Sequence, residues 1–337
     1  MATNIWFWVL FNAFVLGMLA LDLGVFHRHA HSVSVREAAI WSAVWIGLAL
    51  AFNYGLYLFE GPTIALEFLG GYLLEKSLSV DNIFVFVLIF TYFRVASVYQ
   101  HRVLFWGIIT ALVLRGVMII AGAALVSRFE FLITIFGAFL VLTAIRMARD
   151  TDEEIEVEHN PLVRLLRRFM PVTPDYREDH FFVVEAGRRM ATPLLVVLLV
   201  IESSDIIFAI DSIPAVFGIT TDPFIVYTSN IFAILGLRAL YFLLAGVIDK
   251  FHYLKSGLSI VLGFVGIKML TESLSSYFME HPIHVPIEYS LGFIGLVLGV
   301  SVVASLLFPK KAQETLEVEE TEGGVALHHR PARESMD

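Results

Sequence analysis

Thr192-Pro-Leu-Leu-Val-Val-Leu-Leu-Val-Ile-Glu202-Ser-Ser-Asp205-Ile-Ile-Phe-Ala-Ile-Asp211-Ser-Ile-Pro214-Ala-Val-Phe-Gly218 decides how the rest of the chain is read. A helix needs about 20 apolar residues to cross a hydrocarbon core of roughly 30 Å, and this run is long enough. It nevertheless contains three acids, Glu202, Asp205 and Asp211. A carboxylate inside a membrane helix costs about 2.5–3.5 kcal/mol on insertion scales, so such residues mark pairing, protonation or ion binding.

Working outward, eight more runs of spanning length are predicted, at about 5–26, 38–59, 66–93, 101–126, 129–149, 223–248, 255–279 and 286–308. The chain is 58% apolar and 16% charged, against roughly 45–50% and about 25% for soluble domains. An all-α polytopic membrane protein of about nine transmembrane helices follows. Its organisation reads as membrane helices one to five over 1–149, a charged loop over 150–191, helices six to nine over 192–308, and an acidic tail over 309–337 expected to be disordered. The third run is longer than one span and contains Gly70 and Gly71, so it is expected to tilt strongly or break. Trp6 and Phe7 follow the start with no basic region, which predicts a retained first helix rather than a signal peptide. There is no cysteine, which excludes disulfides, thiolate metal sites and thiol nucleophiles. The net charge of −9 and the lack of a basic face exclude nucleic acid as a partner, leaving the lipid bilayer and a cation.

Basic residues give the orientation, because Lys and Arg accumulate in cytoplasmic loops. Of the 23, four lie inside predicted runs, Lys76, Arg115, Arg238 and Lys268; 18 lie in or beside the odd-numbered connections and the tail, and Arg128 alone in the even-numbered ones. The expected topology has the N-terminus outside and the C-terminus and the 150–191 loop in the cytoplasm, as for a bacterial inner-membrane protein.

Runs three to five recur as runs six to eight. Ser79-Val-Asp81-Asn-Ile-Phe84 matches Ser203-Ser-Asp205-Ile-Ile-Phe208, Leu114-Arg115 matches Leu237-Arg238, and Ile145-Arg146-Met147 matches Ile267-Lys268-Met269. Three-helix units set next to each other insert in opposite orientations, which is the inverted repeat of transporters whose site lies near the midplane.

Six acids in these runs are the candidates for chemistry: Asp22, Glu75, Asp81, Glu202, Asp205 and Asp211. Unpaired, they would cost on the order of 15–20 kcal/mol, more than a fold's usual net stability. The four intramembrane bases set against these six acids leave a formal charge of −2, that of one divalent cation. Glu202 and Asp205 share a helix face at i, i+3. Asp211 is too far round to join them unless Pro214 breaks the helix, which would also free the carbonyl of Ile210. Ser79, Asn82 and Ser203 add further oxygens, and such hard ligands suit magnesium, calcium and manganese. The alternative is that Lys76, Arg115, Arg238 and Lys268 simply pair with the acids and lock helices together. His27, His29 and His31 read as a solvated loop, and Leu162–Phe169 as a short amphipathic helix on the cytoplasmic surface.

Glu75-Lys-Ser-Leu-Ser-Val-Asp81-Asn-Ile-Phe-Val-Phe86 and Glu202 to Phe217 resemble the two signature segments of the TerC family of bacterial membrane proteins, and the likeness extends from Leu19-Ala-Leu-Asp22-Leu-Gly24 through the ninth run. The resemblance implies the LysE-type transporter superfamily, manganese export, a historical label of tellurium resistance, and Glu75, Asp81, Glu202, Asp205 and Asp211 as the metal-handling acids. The expected function is a secondary transporter of a divalent cation, coupled to protons through those carboxylates, with no prosthetic group. A metal-delivery or assembly partner and an exporter of another substrate, such as tellurite, are the alternatives. The second alternative calls for arginines without surplus acid. An intramembrane enzyme is not expected: Gly-x-Gly-Asp, His-Glu-x-x-His and a serine elbow are all missing.

Overall fold

A computed structural model describes residues 5–26, 34–129, 131–149, 160–185, 187–246, 251–279, 281 and 283–308. The acidic tail, most of the charged loop's first part and the three alternating histidines lie outside them. Within them the chain forms α1 (Ile5–Phe26), α2 (Val35–Glu60), α3 (Pro62–Tyr92), α4 (Ser97–Arg128), α5 (Phe131–Arg149), α6 (Pro161–Phe169), a two-stranded antiparallel ribbon of β1 (Phe182–Glu185) and β2 (Arg188–Ala191), α7 (Pro193–Phe217), α8 (Pro223–Leu235), α9 (Leu237–Leu244), α10 (His252–Phe278) and α11 (Ile287–Leu307).

Each of the nine predicted runs coincides with a helix or, for the seventh, with the bent pair α8 and α9. Among the described residues, six helices are long and apolar enough to span a bilayer, or seven counting α8 with α9 as one span bent by 41°. The outward faces of the bundle, α1 included, carry large apolar residues such as Trp6, Leu10, Val117, Leu142 and Leu296, a surface suited to lipid. The protein is a polytopic all-α membrane protein, with the short ribbon its only strands among the described residues.

Two expected breaks are absent and an unexpected one is present. α3 runs unbroken for 31 residues, about 46 Å at 1.5 Å per residue, so it exceeds the hydrocarbon thickness as one rod. Gly70 and Gly71 serve close approach instead: a Cβ on Gly71 would lie 2.8 Å from the Ser229 hydroxyl of α8. α7 also continues through Pro214: the ring removes the donor that the Ile210 carbonyl would have met, but the helix runs on to Phe217, where the Gly218 N–H bonds the carbonyls of Pro214 and Ala215. The break falls at Gly236, between α8 and α9.

Helices of the first half interlock with those of the second. α3 packs on α7 and α8, α4 packs on α7 and α8, and α5 lies along α10. Small residues let the last pair meet: a Cβ on Gly137 would lie 3.0 Å from the Gly266 carbonyl. At the cytoplasmic end by the orientation predicted above, Val163 and Leu166 of α6 pack into the core shared by α3, α4, α7 and α9. The Asn160 side chain caps α6 by accepting from the backbone N–H of Leu162 and Val163.

Candidate cation site inside the helix bundle

Arg115, in the middle of α4, is only 1% exposed. A guanidinium in that position needs partners for its five N–H groups, and three helices supply them. From α7, Asp205 accepts from Nη2 at 3.0 Å and from Nε at 3.5 Å, and the Ser212 hydroxyl accepts from Nη1 at 3.3 Å. From α8, the Asn230 carbonyl oxygen accepts from Nη1 at 3.3 Å. Glu75 of α3, fully buried, completes the set as a second ion-pair partner of Nη1. One arginine thus ties α3, α4, α7 and α8 together.

Glu202 stands one turn before Asp205 on the same face of α7 and is 5% exposed. Its Oε1 lies against the backbone of α4, where a Cβ on Gly107 would be 3.7 Å away. Among the described residues no well-directed hydrogen-bond donor reaches either oxygen of this carboxyl. Thr110 is beside it, but that hydroxyl donates to the Trp106 carbonyl at 3.1 Å. The Asn82 side-chain oxygen, 1% exposed residue by residue, is orphaned in the same way. Ser79 and Asn82 continue the stripe of α3 that begins with Glu75, at i+4 and i+7. Ser79, also buried, donates to the Glu75 carbonyl at 2.8 Å and keeps its lone pairs. Three carboxyls, Glu75, Glu202 and Asp205, around one guanidinium give a formal charge of −2 when all are ionised. That value equals the earlier sum but comes from a different set of residues.

The remaining sequence candidates go elsewhere. Asp211 accepts from Thr143 of α5 at 3.4 Å, near Arg146, because without a break at Pro214 it stays on its own side of α7. Asp81 is half-buried and, with α3 unbroken, sits roughly 120° round the helix from Glu75. Ser203 turns toward α6, where it donates to the Leu199 carbonyl at 2.7 Å and meets the Asn160 side chain at 3.2 Å. The side chain of Asp22 lies outside the described residues. Of the bases, Arg238 contacts the His101 ring at 3.2 Å. Lys76 donates to the Ala233 carbonyl at 3.3 Å, beside the break in the α8–α9 pair. Lys268 donates to the Gly218 carbonyl at 3.1 Å, at the C-terminus of α7. A lysine at a helix C-terminus meets the negative end of the helix dipole and a carbonyl left without an N–H. Two of the four expected charge partners therefore find backbone.

Sequence reasoning passed over Glu67 and Glu272, at the ends of their runs. Glu67 accepts from Thr220 at 2.6 Å, and Glu272 accepts from the Val285 N–H at 2.8 Å and lies 3.9 Å from Lys268. It also passed over Ser212 and Asn230, whose polarity at i+7 from Asp205 and in the middle of α8 was the available signal. Just before the β ribbon, Glu178, Asp179 and His180 are the one trio among the described residues whose ligand atoms all lie within 4.8 Å of each other; they are surface groups. Asp179 pairs with Arg102, and Tyr176 donates to the Phe93 carbonyl at 2.8 Å. Partial burial raises the Tyr176 phenol above its ordinary value, and the Glu185 carboxylate raises Arg177.

A helix bundle that faces lipid and buries an arginine among carboxyls is a multi-pass integral membrane protein with an intramembrane ionic site. The chain belongs to the TerC family: the model of the integral membrane protein TerC family matches residues 60–313. It is 55% identical over 90% of its length to the uncharacterized membrane protein STKORF319 of Myxococcus xanthus, covering 93% of that protein. It is 47% identical over 89% of its length to the putative membrane-bound redox modulator Alx of Escherichia coli K12, again covering 93%. A membrane protein of Rickettsia bellii is 37% identical, over 89% of this chain and 97% of that one. No solved structure matches.

Proposed function

We propose that this protein is a secondary transporter that exports a divalent cation, manganese in the first place, across a bacterial inner membrane in exchange for protons. The observation that carries the reading is Glu202, a carboxyl at 5% exposure with no directed donor, set one turn from Asp205 in a cluster that holds more acid than base. A structural ion pair needs no such surplus; a site that alternates between a cation and protons does. Oxygens from Glu75, Ser79, Asn82, Glu202 and Asp205 are hard ligands, and an oxyanion carrier would call for the opposite balance. The inverted repeat supplies alternating access. In its support, the approach of Gly263 to Ala144 and that of Gly266 to Val141 are images of each other under the sequence match of α5 with α10.

The redox role in the name of the Escherichia coli relative has no thiol to act through here, since the chain lacks cysteine. Control of a metal's concentration offers a route that needs none. The deciding experiment is flux in proteoliposomes with manganese, calcium and magnesium compared, under an imposed pH gradient. Manganese efflux that accelerates when the outside is acidic is expected; no flux of any of the three ions overturns the reading. Sidedness is tested by reporters, one after Arg168 reading cytoplasmic and one at Thr221 reading periplasmic. If both read the same side, the orientation and the inversion of the repeat fail together.

A further inference from the structure

Resting on the reading of this cluster as the cargo site, we infer that Arg115 is a tethered rival of the transported cation: its guanidinium occupies the carboxyls of Glu75 and Asp205 when no metal is bound and moves to its neutral partners when metal arrives. Those two carboxyls come from different helices, α3 and α7, and the one group between them is Arg115. The guanidinium holds Asp205 side-on with contacts of 3.0 and 3.5 Å, longer than the roughly 2.7–2.9 Å of a tight charge-assisted bond. Its Nη1 already touches Ser212 and Asn230, both at 3.3 Å, so a place to retreat exists without breaking every contact.

The spacing of the acids argues the same way. Hard divalent ions bind oxygens at about 2.0–2.6 Å, which requires the carboxyls to close on one point. Among the described residues the trio whose ligand atoms all lie within 4.8 Å of one another is the surface group Glu178, Asp179 and His180, so the oxygens of Glu75, Glu202 and Asp205 do not all come that close. A guanidinium spaces them; a small ion would draw them together. The two cations therefore exclude each other, and a divalent ion, which brings two charges to displace one, has the advantage over a monovalent ion. Neither Glu202 nor Glu75 has a directed hydrogen-bond donor, but Glu75 and Asp205 are held by the guanidinium, so Glu202 is the first carboxyl an arriving ion meets without displacing Arg115. On release, Arg115 returns to the carboxyls and keeps the emptied bundle from holding bare buried acid. That return also helps to expel the ion.

The test uses full-length protein in nanodiscs, with manganese binding followed by loss of the free-ion paramagnetic resonance signal, and the same variants in proteoliposomes. R115Q removes the rival and should lower the manganese Kd on the order of tenfold. Net efflux should fall while manganese–manganese exchange persists. N230D, which keeps the guanidinium paired and draws it off the carboxyls, should also tighten binding. N230A, which removes the retreat, should weaken it. Should R115Q fail to fold, the opposite signs of the two Asn230 variants decide. A folded R115Q with unchanged or weaker binding, or N230D and N230A moving the Kd in the same direction, overturns the inference. Wild-type protein that binds none of manganese, calcium or magnesium overturns the transport reading itself, whatever the variants do.

Discussion

Arg115 and Arg238 occupy matched places in the two halves of the sequence, each after a leucine and each on the second helix of its unit, yet their surroundings differ. Arg115 is enclosed, gripped by Asp205 and Glu75 and by the polar side chains of Ser212 and Asn230. Arg238 is half-buried, and its Nη1 meets His101 Nε2 at 3.2 Å near the start of α4. The helices explain the difference. α4 runs straight through Arg115 for 32 residues, whereas its counterpart breaks at Gly236, two residues before Arg238, with a bend of 41°. An unbroken helix carries its arginine into the middle of the bundle; a bent one delivers it to the rim. The two matched arginines thus divide into an enclosed ionic site and a half-buried one at the rim.

The largest effect that could break this comparison is on stability. Asp205→Asn leaves Arg115 buried without its bidentate partner, and breaking a buried pair from one side costs about 3–5 kcal/mol. Arg238→Gln, at the rim, should cost on the order of 1 kcal/mol. Thermal unfolding of the two purified variants measures both; equal losses would mean that the two arginines are structurally equivalent after all. Next in size is a separation of function from stability. Glu202→Gln should reduce manganese efflux to near background and flatten its response to external acid, while the melting temperature stays level or rises, because no donor loses its acceptor. A large fall in melting temperature would make Glu202 a structural acid.

The smallest effect concerns the bend. A Cβ on Gly236 would lie 2.8 Å from Lys76 Nζ and 3.2 Å from Trp45 Cβ. Gly236→Ala should therefore cost about 1 kcal/mol, at the low end for overpacking since the lysine end can swing aside. In the unbroken counterpart, a Cβ on Gly116 meets only the edge of Tyr227 at 3.3 Å. Gly116→Ala gains up to about 1 kcal/mol of helix propensity and should be neutral or stabilising. The same sign for both substitutions, read by thermal unfolding, would remove the physical reason given for the bend.

What the sequence determined by itself was set by solvent. Apolar runs of spanning length have one good solution, a membrane helix, and acids inside them have few, so the bundle, and Glu75, Glu202 and Asp205 as intramembrane acids in need of partners, could be read without coordinates. The short amphipathic helix over Leu162–Phe169 was also legible, because arginines interleave there with apolar residues, and α6 spans Pro161–Phe169. Which charge meets which partner was decided only by the fold. A lysine in a membrane helix reads as a salt-bridge partner, but Lys76 and Lys268 end on the carbonyls of Ala233 and Gly218, at helix ends that the sequence does not place in space. Pro214 looked like the break and Gly236 was the break: α7 runs on from Pro214 to Phe217, while Gly236 admits the lysine and tryptophan of other helices against its backbone. Such meetings depend on the azimuth of each side chain and on how closely two backbones approach, and both are properties of helix pairs rather than of any one helix.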